Sequence, residues 1–128
     1  MIGATHALKG IIYAVSAGRN LKIQIAAAVI VLIGAVYFST SVVENIVLIL
    51  TIFFVIFAEI VNTAIESVVD LVCIDILEDK LKESKYNNKA KAAKDAAAGA
   101  VLAAAVMSVL IGAIIFLPKI IDKIASAK

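Results

Sequence analysis

Three long apolar runs divide the chain. The first, Ile25 to Phe38, reads IAAAVIVLIGAVYF; the second opens near Val42 and reaches about Val72; the third runs from Ala96 to Leu117, interrupted by Ser108. A span across bilayer hydrocarbon takes roughly 20 apolar residues. The third run fits that length directly. The first fits once Leu21 and Ile23 join it and the Lys22 ammonium snorkels to the interface. The second is too long to lie wholly in lipid, so one end projects into headgroups or water. In hydrocarbon only helices and closed barrels satisfy every backbone polar group, and runs without alternation predict helices. The pattern therefore predicts one all-α integral membrane domain over residues 1–128. Its spans fall at about 21–40, 42–72 and 94–117, with a connector over 73–93. Pro118 is expected to end the third span.

The segment before the first run, ATHALKGIIYAVSAGRNLK, is too polar to cross a membrane. Its Leu8, Ile11, Ile12 and Val15 share one side of a helix, which predicts an amphipathic surface helix over about 4–18. The first run lacks a clean small-residue cleavage pattern and reads as a retained span. Tyr13, Tyr37 and Phe38 suit interfacial anchors. In the connector, YNN reads as a turn. LEDKLKES reads as a helical extension with one favourable i,i+4 pair, Glu78–Lys82, and one unfavourable pair, Asp79–Glu83.

Composition agrees with the pattern. Hydrophobic residues make up 63% of the 128 positions, against about 45–50% in soluble domains. The mean hydropathy is +1.08. A soluble core in so short a chain could not hide that surplus. The net charge of +2 gives no sign of a nucleic-acid partner. The placement of charge is more informative. Lys9, Arg19 and Lys22 precede the first span, and lysines 80, 82, 85, 89, 91 and 94 fill the second connector, whereas STSVVEN between the first two spans has no basic residue. The positive-inside rule then places the N-terminus and the second connector in the cytoplasm. The tail, with Lys119, Lys123 and Lys128, lies outside. Cys73 has no second cysteine to pair with, and His6 is a lone histidine.

Polar residues inside the second span form a pattern of their own. In AEIVNTAIESVVD, Glu59, Asn62, Thr63, Glu66 and Asp70 fall on one face at 100 degrees per residue. Ile60, Val61, Ile65 and Val68 fall elsewhere. The stripe is roughly 16 Å long. An acid at the bilayer centre costs roughly 2.5–3.5 kcal/mol on insertion scales, and less toward the interface. Two glutamates seven residues apart can be accommodated by protonation, by a cation between them, or by a facing basic group. Lys94 and Asp95, in KAAKD at the start of the third span, offer a cation and a further carboxylate. Hard oxygen ligands beside a lysine suit Mg²⁺ with phosphate. No Gly-rich phosphate loop of the P-loop kind occurs. Small residues at four-residue spacing in the third span, such as Gly99–Ala103 and Ser108–Gly112, suit close helix packing within a chain or between chains.

These residues resemble the prokaryotic diacylglycerol kinase family, which includes the undecaprenol kinases. EIVNTAIESVVD is similar to the family's core motif, AKAAKDAAAGAVL to its segment at the start of the last span, and HALKGI with GRNLKIQIAA to its N-terminal region. The likeness runs from about Ala4 to Lys119 and leans toward undecaprenol kinases of Gram-positive type. It implies a homotrimer in the bacterial cytoplasmic membrane with active sites shared between subunits. It also implies MgATP-dependent phosphorylation of a lipid alcohol, undecaprenol or diacylglycerol. Carried over, Glu59 is the general base and Asn62 holds phosphate or metal oxygen. Glu66 is a metal ligand, Lys94 and Asp95 contact nucleotide phosphates, and Asp95 also supports the metal. Thr63 and Asp70 belong to the motif with less defined roles. Two departures stand out. Gly18 occupies the place of a second metal-ligand glutamate, and the first forty residues hold no acid at all. The connector between Asp70 and Lys94 is about ten residues longer than is usual in the family.

Two readings from other classes compete with the lipid kinase. The stripe could line a proton or cation pathway, or its carboxylates could pair with basic groups of another membrane subunit. Neither accounts as well for the lysine and aspartate at the start of the third span.

Overall fold

The computed structural model describes residues 2–73 and 84–127, and they form four helices: α1 Ile2–Ala17, α2 Arg19–Tyr37, α3 Val42–Leu71 and α4 Ser84–Ala125. The windows Asn20–Tyr37, Val42–Leu71 and Asn88–Ala125 are long and apolar enough to cross a membrane. Large side chains such as Ile30, Ile33, Phe53, Phe54, Val109 and Ile114 are exposed along them. That exposure suits a chain whose surroundings are lipid. The membrane-spanning all-α architecture expected from the pattern is the one observed.

α4 packs chiefly along α3, α2 packs on α3, and α1 touches the α2–α3 pair. One core cluster joins Ala35, Leu48 and Ile115, with Val31, Ile111 and Phe116 around it. At the other end Ala14 and Leu21 are buried where α1 meets α2. The Gly18 amide still donates to the Ala14 carbonyl (2.9 Å), so α1 runs to its last bond before the chain turns into α2.

α3 starts sharply because its first turn is capped at both ends of a capping box. The Ser41 hydroxyl accepts from the Glu44 amide (3.2 Å), and the Glu44 carboxylate accepts from the Ser41 amide (2.6 Å). Glu44 also accepts from Lys119 of α4 (3.1 Å), and the Lys123 ammonium lies 3.6 Å from the Tyr37 ring centroid. Replacing Ser41 by alanine is expected to lower stability by about 1 kcal/mol, read from thermal unfolding in detergent.

Two expectations about the last helix are corrected. YNN does not turn: Tyr86, Asn87 and Asn88 lie inside α4, which takes in the second half of the connector expected over 73–93. The alanines and lysines that follow are strong helix formers and carry the helix of the span outward. Nor does Pro118 end the helix, which continues to Ala125. A proline removes one backbone bond at a cost of about 3 kcal/mol. Here the next turn is anchored by Lys119 on Glu44 and Lys123 on Tyr37, directly after Ile115 and Phe116 enter the core. The Glu78–Lys82 and Asp79–Glu83 pairs, with Lys80, lie outside the described residues.

Candidate functional site

α3 has 30 residues, about 45 Å at 1.5 Å per residue, against about 30 Å of hydrocarbon. Counted from Val42, Glu59 lies about 26 Å along the axis and Asp70 about 42 Å. With Val42 set at one edge of the hydrocarbon, Glu59 falls near the opposite edge, with Glu66 and Asp70 beyond it.

The polar stripe lines one open-sided cavity of about 500 Å³. α3 contributes Glu59, Asn62, Thr63, Glu66, Ser67 and Asp70, and the elbow between α1 and α2 contributes Tyr13, Gly18 and Asn20. Packing of α2 against α3 buries the first part of the stripe. Glu59 is 3% exposed, and Asn62 and Thr63 are buried beside it. Buried polar groups need partners, and most are found locally. The Thr63 hydroxyl donates to the Glu59 carbonyl (3.0 Å) and the Ser67 hydroxyl to the Thr63 carbonyl (2.8 Å). The Asn62 amide donates to Glu66 Oε1 (3.2 Å), and Gln24 of α2 donates to Glu59 Oε2 over a long 3.5 Å.

Two buried oxygens, Asn62 Oδ1 and Gln24 Oε1, have no hydrogen-bond partner. Asn62 lines the cavity one helical turn from Glu66; its amide nitrogen is bonded to that carboxylate, and its Oδ1 is a buried hard oxygen acceptor. Among the described residues, no three histidine, cysteine or carboxylate side chains gather into a metal cage. Mg²⁺ does not need one: it keeps several waters and takes one or two carboxylates together with substrate phosphates. An orphaned amide oxygen next to a single carboxylate fits that demand.

Lys94 of α4 reaches the rim of the cavity through Asp70, with Nζ 2.7 Å from Oδ1. Their side chains are 37% and 53% exposed, so water screens the pair. Asp95 is exposed and does not line the cavity within a single chain. Glu59, Asn62, Thr63, Glu66 and Asp70 thus come together with position 18, Lys94 stands at the edge, and Asp95 stands apart. Tyr13, Asn20, Ser67 and Gln24 were not singled out as site residues from sequence. Ser67 is adjacent to Glu66, and Asn20 is the second residue of the RN pair, but only helix packing brings α2 to the stripe.

At Gly18 a Cβ would lie 2.9 Å from the Ala14 carbonyl oxygen and 3.5 Å from Leu21 Cβ. The first contact is with backbone, so any larger residue here requires the α1–α2 elbow to shift.

The family profile of prokaryotic diacylglycerol kinase matches residues 5–116. The chain is 42% identical over 115 residues to an undecaprenol kinase of Bacillus subtilis (strain 168), covering 90% of this chain and 85% of that protein. It is 36% identical over 122 residues to a diacylglycerol kinase of Synechocystis sp., covering 95% of this chain and 65% of that protein. No solved structure gives a significant match. A helical membrane protein with this cavity and these relatives is an enzyme of the membrane lipid-kinase class. The chain belongs to the prokaryotic diacylglycerol kinase family.

Proposed function

We propose that the chain transfers the γ-phosphoryl group of ATP to the hydroxyl of undecaprenol at the cytoplasmic face of the bacterial cytoplasmic membrane. The observation that carries this reading is the depth ordering of one helix face. A buried carboxylate at the hydrocarbon edge, Glu59, shares a cavity with Asn62, Glu66 and Asp70 farther out. Identity with the Bacillus undecaprenol kinase supports the substrate. Diacylglycerol is the second reading, supported by the cyanobacterial relative.

Glu59 takes the proton of the lipid hydroxyl as its oxygen bonds the γ-phosphorus. The bond from that phosphorus to the β-phosphate oxygen breaks, and ADP leaves with the electron pair. Glu66 and Asn62 Oδ1 would hold Mg²⁺, with Asp95 available where subunits meet. The ion would draw off charge from the phosphates as it develops. Lys94 compensates the same charge once a phosphate displaces Asp70. Thr63 and Ser67 satisfy their hydroxyl protons on carbonyls of their own helix.

Three further features complete the proposal. The N-terminus and the lysine-rich connector face the cytoplasm, and the C-terminus faces outward. The protein is a homotrimer with shared sites. In support, Gly99 and Ala103 are exposed on α4, and a Cβ at Gly99 would meet nothing within 4 Å. That face is free for another copy. The decisive assay offers undecaprenol and diacylglycerol side by side to the purified protein with labelled ATP. Transfer to neither lipid removes the reading.

Position 18 gives a separate prediction. Gly18→Glu adds a carboxylate to the cavity wall, and the half-saturating Mg²⁺ concentration for phosphorylation is expected to fall about tenfold as ligand charge rises. The close Ala14 carbonyl predicts a lowered melting temperature in the same variant. An unchanged Mg²⁺ dependence would show that position 18 does not limit metal binding.

A further inference from the structure

The walls of the candidate site differ in charge. The α3 wall carries three carboxylates, Glu59, Glu66 and Asp70, whereas the α1–α2 wall carries Tyr13, Gly18 and Asn20. No aspartate or glutamate precedes Glu44 in the chain, while Lys9, Arg19 and Lys22 do. The α2 part of this wall is also a helix start. Amides in the first turn of a helix lack intrahelical acceptors and carry the positive end of its dipole. At α3 the Ser41 side chain caps such an amide. At α2 the N-cap is Gly18, in extended conformation, and among the described residues no side chain caps it and no acid lies in the first turn. The Gly18 amide itself is bonded to the Ala14 carbonyl (2.9 Å). Gly18 and Asn20 both line the cavity, and Asn20 is exposed. A side chain at position 18 would stand over this turn, with its Cβ 3.9 Å from the Leu21 amide nitrogen. Asn62 lines the same cavity from α3, is 6% exposed, and keeps Oδ1 without a donor.

We propose that the first turn of α2, through the Arg19 and Asn20 amides and the Asn20 side chain, receives a nucleotide phosphate directly, with no metal between them. The inference rests on the lipid-kinase reading above, in which the cation lies on the α3 wall with Glu66 and Asn62. An uncapped helix start attracts an anion, and the facing carboxylates with the orphaned Asn62 oxygen attract a cation. A phosphate that carries its own Mg²⁺ matches both walls at once. A bare anion meets three carboxylates, and a bare cation leaves the α2 amides without an acceptor. A carboxylate at position 18 would take up those amides and repel the phosphate, so that only a metal could join the two. Gly18 is therefore more than a lost ligand. It leaves the α2 turn open, and Asn20 becomes the side chain on this wall that meets the phosphate.

The test measures binding, not turnover. A labelled ATP analogue that cannot release its γ-phosphoryl group is equilibrated with the full chain in detergent at low salt, once with Mg²⁺ and once with EDTA. The parent should bind in both. Asn20→Asp keeps the size of the side chain and places a negative charge where a helix start favours one, so its melting temperature should not fall. The same charge should weaken binding about tenfold in EDTA, and less when Mg²⁺ offsets it. Asn20→Ser keeps a donor and should stay within about threefold of the parent. Gly18→Glu should weaken binding about tenfold in EDTA and strengthen it in Mg²⁺, a reversal that elbow strain alone cannot produce. A role for Asn20 confined to folding would move the melting temperature and leave the affinity unchanged. Binding by Asn20→Asp equal to the parent in EDTA overturns the proposal. So does an equal loss from Gly18→Glu in both conditions, or no binding by the parent in EDTA. Transfer to neither lipid, with binding that responds as expected, defeats the lipid-kinase reading and leaves the phosphate contact standing.

Discussion

Glu59→Gln is expected to lower kcat for lipid phosphorylation by about 10²–10⁴-fold, the usual contribution of a positioned general base. The change removes the proton acceptor and almost nothing else. The amide has the shape of the carboxylate, and Glu59 is buried among Gln24, Thr63 and its own helix backbone, so the variant should fold and bind nucleotide. Glu59→Asp separates chemistry from position. It keeps the carboxylate but withdraws it by about 1 Å, and a misplacement of that size costs on the order of 10²-fold. Turnover by Glu59→Gln equal to the parent would remove the base assignment. Turnover by Glu59→Asp equal to the parent would show that the reach of this side chain is unimportant.

The second large effect is expected at Lys94. Lys94→Met should lower kcat/KM for ATP by about 10²–10³-fold, because a cation aimed at developing phosphate charge acts where charge grows. The structure adds a comparison that separates two roles for its neighbour. Lys94 is held by Asp70 at 2.7 Å, in a pair exposed enough that its net worth is small. A triphosphate carries more negative charge than one carboxylate and would take the lysine over. Asp70→Asn frees Lys94 in advance and is expected to lower KM for ATP severalfold, most clearly at low salt. If Asp70→Asn instead raises KM for ATP and the Mg²⁺ requirement together, Asp70 is a metal ligand rather than a place-holder for phosphate.

Much of this was legible in the residues because lipid imposes strong constraints. Runs as long as Val42–Val72 without alternation can only be helices in hydrocarbon, and α3 covers Val42–Leu71. The stripe was legible for the same reason. Glu59, Asn62, Thr63, Glu66 and Asp70 share a face by the arithmetic of 3.6 residues per turn, and one cavity takes in all five. The connector was harder. Asn pairs and proline are local signals, and local propensity yields to neighbours. Alanine and lysine carried α4 back to Ser84, and contacts from Lys119 and Lys123 carried it past Pro118.

By itself, then, the sequence determined that this chain is a helical membrane protein and that the polar residues of its middle span share one face. Hydrophobic run length and helical periodicity are properties of a single segment and need no neighbour to be read. Tertiary structure decided what that face meets. Gln24 against Glu59, Lys94 on Asp70, Gly18 closing the elbow over the cavity, and Asp95 left outside it each depend on how separate helices rotate and slide against one another. That is set by the packing of α2 and α4 on α3, which no spacing within one helix encodes.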